Sequence, residues 1–238
     1  MAGHDRANAG RGRSGVELAL PLPDGAASGY LALPASGRGR GVLVFHEAWG
    51  LLDPIRDACD RLARSGFAAL APDLYAGRSS DEIEGAVALM NQLTPERAGM
   101  LVDASVEALL RSEACEGARI GALGYCMGGQ LALFAACRSP RIAAAVDFYG
   151  SFPGLPLELA KCRAAVLAIF AERDAYVPAA QVESLRAELA RAGVRASVRV
   201  QPGVAHAFMN ESRPDVFDAA AAAAGWSALL AFLRAELA

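Results

Sequence analysis

Six short runs, at residues 41–46, 67–71, 119–124, 142–148, 164–170 and 196–200, read as strands that are apolar on both faces, with longer helical patterns between them. Such a strand must be covered by helices on both sides, which is the condition met by a parallel sheet of βαβ units. Two earlier runs, 16–20 and 29–33, flank a turn at 21–25 that holds Pro21, Pro23 and Gly25, and predict an antiparallel opening hairpin. The intervening stripes are helical in period: Ile55, Ala58, Cys59 and Leu62; Ile83, Val87 and Met90; Leu101, Val102 and Leu109 behind a Thr94–Pro95 start; Val182, Leu185 and Leu189 after Pro178. The chain therefore reads as one α/β domain over residues 16–238, with a mostly parallel, doubly wound sheet of about eight strands. Residues 1–15, rich in Gly, Arg and Asn with no apolar segment following, read as a flexible tail.

Composition narrows the chemistry. Lys and Arg total 23 against 26 Asp and Glu, and the basic residues, all arginine except Lys161, are scattered. Nucleic acid is not an expected partner, because neutralising phosphates needs clustered positive charge. The alanine-rich run at 219–233 is shorter than the roughly 20 residues that cross a bilayer. Its Trp226, Leu229, Leu230 and Leu233 follow an amphipathic helix, so no membrane is expected either. Five cysteines form no C-x-x-C pair and no metal-like grouping with histidine, which points to free thiols in a reducing cytoplasm. Only His4, His46 and His206 can carry a proton near neutral pH, and His4 lies in the tail.

In a parallel α/β sheet, functional groups gather in the loops at the carboxyl ends of the strands. One such loop, Gly124-Tyr125-Cys126-Met127-Gly128-Gly129, joins an apolar strand to an apolar helix and has the form of a nucleophile elbow with Cys126 as nucleophile. The glycines let strand and helix backbones approach closely around a strained residue. A thiol there sits at a helix N-terminus, where the dipole favours negative charge and the Met127 N–H faces a developing oxyanion. Set against this is a small buried cysteine in a glycine-rich turn of a nucleotide-binding protein, but the first βα turn lacks the full G-x-G-x-x-G fingerprint. Downstream strand ends carry Asp174, with Glu172 as a rival nearer the strand, and then His206; His46 ends an earlier strand and is expected to pack or hydrogen-bond beneath the site. Nucleophile, acid and histidine thus occur in the order of a hydrolytic triad.

With these residues the chain resembles the dienelactone hydrolase family, a cysteine-dependent branch of the α/β-hydrolase fold, from about residue 16 to the C-terminal helix. The carrying motifs are His46-Glu47-Ala48-Trp49-Gly50, Ala71-Pro72-Asp73-Leu74-Tyr75, the elbow, Asp174 with Val177-Pro178, and His206-Ala207-Phe208. The resemblance implies a Cys126, His206, Asp174 triad. It also implies that Glu47 contacts the thiol and takes part in its activation, that Ala48 and Met127 supply oxyanion-hole N–H groups, and that Arg78 binds a substrate carboxylate. Trp49, Tyr75, Tyr149 and Phe208 are candidates for the pocket wall. The family pattern expects a second arginine soon after the histidine; Asn210 stands in that region and Arg213 comes later, which opens the site to a less acidic ester or lactone.

The expectation is a hydrolase cleaving a small carboxylic ester or lactone, of the dienelactone (carboxymethylenebutenolide) kind, through a thioester. It needs no metal or organic cofactor and works as a monomer or small homo-oligomer. The alternatives are a general esterase of the same fold without dienelactone activity, a non-catalytic ligand-binding protein, and a thiol redox protein centred on Cys126. For the last, Cys115, Cys137 and Cys162 offer no resolving partner by spacing.

Overall fold

A computed structural model describes residues 14–23 and 25–238, so the expected tail falls almost wholly outside the described residues. The strands are β1 (Val16–Leu22), β2 (Gly25–Ala32), β3 (Gly39–Phe45), β4 (Phe67–Pro72), β5 (Cys115–Tyr125), β6 (Ile142–Phe148), β7 (Ala165–Arg173) and β8 (Ala196–Ala205). The helices are α1 (Asp53–Arg64), α2 (Ile83–Gln92), α3 (Pro95–Arg111), α4 (Met127–Arg138), α5 (Ala179–Arg191) and α6 (Ala219–Glu236), with a 3-10 turn at Leu159–Lys161. The strands form one sheet in the order β1-β2-β4-β3-β5-β6-β7-β8. β2 runs antiparallel to both β1 and β4, and every pairing from β4 to β8 is parallel.

Period-two alternation splits the core into two layers. Along β3, Leu43 and Phe45 join Leu101, Leu109 and Leu131 of α3 and α4, while Val42 and Val44 join Cys59 and Leu62 of α1 and Leu229 and Leu233 of α6. Cys59 is fully buried, as its stripe predicts. The Thr94 hydroxyl accepts the Arg97 N–H at 3.2 Å and Pro95 occupies the first turn, so α3 starts where its sequence signals it.

Two expectations fail. β8 is not covered on both faces: it is the sheet's edge strand, and most of it is exposed, with Val200 44% accessible. Its Arg199 suits that place, since an edge bearing charge resists pairing with another chain. In α2 the buried residues are Ala86 and Leu89, while Ile83 and Val87 of the expected stripe face outward. The small Ala86 permits closer approach to the core than either branched side chain would. The sheet order turns back on itself around β3, so the loops after β3 and β5 open side by side at the carboxyl edge, where such sheets bind ligands.

Candidate active site

Cys126 has φ 54° and ψ −125°, a strained conformation for a non-glycine residue. Backbone bonds hold it there: its N–H donates to the Phe148 carbonyl at 3.0 Å, and its own carbonyl accepts from Gly129 at 2.9 Å and Ser151 at 3.3 Å. The neighbouring glycines are required by contact. A Cβ on Gly124 would lie 1.8 Å from the Gly128 carbonyl oxygen, and one on Gly128 would lie 2.2 Å from that of Phe45. Met127 opens α4, so its N–H has no partner one turn earlier and is free to serve an anion.

Asp174 follows β7 in a turn whose shape its own carboxylate fixes, since Oδ1 accepts the Tyr176 N–H at 2.8 Å and the Val177 N–H at 2.9 Å. The same carboxylate accepts His206 Nδ1–H, at 2.8 Å to Oδ2. The Cys126 thiol is near enough to the ring to act on its charge. Burial alone would lower the pKa of His206, but the Asp174 hydrogen bond and the interactions with Cys126 and Asp174 outweigh it and hold the imidazole well above its ordinary range. The ring lies between Tyr149 and Tyr176, each 4.9 Å away between centroids. Glu172 takes no part: it is exposed and accepts the Gly203 N–H.

Beneath the site, His46 is fully buried and fixed at both nitrogens. Nε2 accepts the Leu74 N–H at 3.2 Å, which makes Nδ1 the donor to the Glu47 carbonyl at 2.6 Å. Burial drives its pKa down to about 4, so it is a neutral structural imidazole. Glu47 is buried too. Asn210 Nδ2–H donates to its Oε2 at 2.7 Å, while Oε1 has no hydrogen-bond partner. Its pKa is raised by burial, against the Asn210 bond and the charges of His206 and Arg213. The implied contact between Glu47 and the thiol is thus not a hydrogen bond in this structure.

On the substrate side, Ala48 and Trp49 are half-buried in the loop after β3, and Tyr75 is buried with its hydroxyl donating to the Met127 sulfur at 3.1 Å. Phe208 is fully buried, edge-on to Tyr149, and backs that ring rather than facing the opening. Arg78 is exposed, with its guanidinium on the Tyr75 carbonyl and the Gln92 side chain. Sequence reasoning missed three groups. Arg213 lies 5.9 Å over the Trp49 ring, paired with Asp215, and its charge is felt by Glu47; Tyr176, 61% exposed, flanks His206; Asp147, fully buried at the end of β6, has an unpartnered Oδ1 and a pKa raised by burial to about 7. Only Arg213 left a signal, as the first arginine after Asn210. Among the described residues no three His, Cys, Asp or Glu side chains converge as a metal ion would require.

The sequence pattern of the dienelactone hydrolase family matches residues 27–237. The chain belongs to the dienelactone hydrolase family. It is 36% identical over 216 residues to Protein usf of Aquifex pyrophilus, covering 88% of this chain and 93% of that one. A candidate carboxymethylenebutenolidase of Aquifex aeolicus (strain VF5) is 35% identical over the same length, with the same coverage. Among solved structures, a candidate dienelactone hydrolase from Klebsiella pneumoniae superposes with a TM-score of 0.85 at 27% identity, covering 92% of this chain and 98% of that one. As a member of the dienelactone hydrolase family the protein is a hydrolase with the α/β-hydrolase fold. No helix among the described residues is long and apolar enough to cross a membrane.

Proposed function

We propose that this hydrolase cleaves a small carboxylic ester or lactone in the cytoplasm, with Cys126 as nucleophile. The observation that carries the reading is a strained cysteine at a helix N-terminus, electrostatically coupled to a histidine that is itself held by a buried carboxylate. His206 takes the thiol proton as sulfur attacks the carbonyl carbon, and the Ala48 and Met127 N–H groups stabilise the oxyanion. Collapse expels the alkoxide, which receives that proton from His206, and leaves a thioester. Water, deprotonated by the same nitrogen, then attacks the thioester carbonyl; the C–S bond breaks, the carboxylic acid is released, and the Cys126 thiolate takes the proton back from His206. Asp174 keeps Nδ1 protonated throughout and stabilises the imidazolium. Glu47 places a buried carboxyl group behind this centre, and the charges of His206 and Arg213 act to keep it ionised.

Cys126→Ala should lower hydrolysis of an activated ester by about 1000-fold or more with the circular dichroism spectrum unchanged. Full activity in that variant would remove the nucleophile assignment. Two guanidiniums support a substrate class: Arg213 lies 5.9 Å over the Trp49 ring and Arg78 bonds the Tyr75 carbonyl. A substrate carboxylate beside either guanidinium would gain a bidentate partner, which favours an anionic lactone. A charged and an uncharged lactone, compared on wild type, Arg78→Ala and Arg213→Ala, test this. Recognition predicts a loss of about 10-fold in kcat/KM, an increment of about 1.4 kcal/mol, on the charged substrate alone. An equal loss on both would make the arginines structural and support the general esterase.

A further inference from the structure

One side chain outside the triad fastens the loop after β8 to the loop after β3. Asn210 Nδ2–H donates to Glu47 Oε2 at 2.7 Å across 163 positions of sequence, and both residues are buried, so the bond is shielded from water. The amide cannot be turned the other way. Its Oδ1 accepts the Ser212 N–H at 3.0 Å and the Ser212 hydroxyl at 2.6 Å, and since a backbone N–H only donates, the amide nitrogen must face the carboxylate. The Asn210 backbone is fixed as well. Its N–H donates to the Ala207 carbonyl at 2.9 Å and its carbonyl accepts the Arg213 N–H at 3.0 Å, closing a turn directly after His206. At the far end, the Glu47 carbonyl accepts His46 Nδ1–H at 2.6 Å and the Gly50 N–H at 3.3 Å, which holds the loop that bears Ala48. The second carboxylate oxygen, Oε1, is buried and has no hydrogen-bond partner among the described residues.

We propose that Asn210 is a positioning residue of this hydrolase: its amide holds the Glu47 carboxylate behind the reacting centre and locks the histidine loop to the loop of the oxyanion hole. The inference rests on the proposed reaction, in which His206 becomes an imidazolium as it takes the Cys126 proton. An ionised Glu47 stabilises that imidazolium, and the charge of His206 in turn favours the ionised carboxylate. Burial opposes the ionised form, and with Oε1 unpartnered the Asn210 N–H is the hydrogen-bond donor that offsets it. The kind of donor matters. A guanidinium in this place would pair with the carboxylate and cancel its charge, whereas a neutral amide fixes the carboxylate and leaves the charge to serve His206. The other groups that sense Glu47 are Arg213 in the same loop, Tyr125 at the end of β5 and Tyr149 after β6.

The test compares the full-length protein with Asn210→Ala and with Ser212→Ala, which leaves Asn210 in place but removes the hydroxyl that steadies its amide. Two quantities are measured: the pH profile of kcat/KM on an uncharged activated ester, and an NMR titration of the Glu47 carboxyl carbon, assigned with Glu47→Gln. Asn210→Ala should move the Glu47 midpoint and the acidic limb of the profile up by about one pH unit, a loss of about 10-fold in kcat/KM on that limb. Ser212→Ala should move both in the same direction by less. Added to Glu47→Gln, Asn210→Ala should leave the profile where Glu47→Gln puts it, because the effect passes through the carboxylate. An unmoved Glu47 midpoint in Asn210→Ala, or an equal loss of activity with and without Glu47, would overturn the proposal and make the asparagine a structural clasp alone. If Asn210→Ala is not recovered folded, Ser212→Ala decides by the same two measurements. Failure of the proposed reaction shows separately, as turnover that survives in Cys126→Ala, while the NMR midpoint does not depend on turnover.

Discussion

Glu47 and Asn210 form the most consequential polar pair at the residue scale, because each was legible only by type. The carboxylate is buried, and one of its oxygens depends on Asn210 Nδ2–H at 2.7 Å while the other has no partner. An unpartnered buried acceptor costs about 1–3 kcal/mol. Asn210→Ala leaves both oxygens in that state, and is expected to lower stability by about that amount in denaturant unfolding. It should also raise the Glu47 pKa further, since the bond removed favours the ionised form. A midpoint unchanged from wild type would show that solvent replaces the asparagine. His46 makes the complementary point. Its two ring nitrogens are committed to Leu74 and Glu47, so the histidine that the sequence expects to pack or hydrogen-bond beneath the site is a neutral brace.

At the scale of elements, the β5–α4 junction is set by backbone contact, which is why its glycine pattern is readable. The Cβ that alanine would add at Gly128 falls 2.2 Å from the Phe45 carbonyl oxygen, and a main-chain atom in a central strand has nowhere to go. Gly128→Ala is expected to destabilise the protein by more than about 3 kcal/mol, or to prevent recovery of folded protein. Gly154→Ala serves as the control, its Cβ meeting only the Phe152 ring at 3.6 Å, and should stay within about 1 kcal/mol of wild type in chemical denaturation. The two corrected elements, β8 and α2, fail for a shared reason. Alternation and helical stripes report that a segment has an apolar side, but β8 is exposed because it is last in the sheet order, and α2 turns Ala86 and Leu89 inward instead of the neighbouring Ile83 and Val87.

For the whole molecule, two buried groups give stability opposite dependences on pH. His46 has its folded pKa lowered to about 4 from 6.5, so its contribution is present above 6.5 and is lost as pH falls through that window. Asp147 has its folded pKa raised to about 7 from 3.8, so its contribution is full below 3.8 and is lost as pH rises toward 7. Between about 4 and 6.5 the two slopes oppose each other. Asp147→Asn removes one of them. The variant should match wild type near pH 4, climb more steeply toward pH 6.5, and exceed wild type by about 2 kcal/mol at pH 8. Parallel thermal-midpoint profiles for the two proteins would show that Asp147 titrates normally. The sequence alone determined the succession of strands and helices, the elbow at Cys126, and the strand-end positions of Asp174 and His206. Each follows from local rules: alternation, helical period, and the steric need for glycine beside a strained residue. The tertiary structure decided which loops converge. Arg213 over Trp49 and Tyr176 against His206 come from separate connections. Side chains so far apart along the chain are brought together by strand order and helix packing, and no periodicity within any one segment encodes that distance.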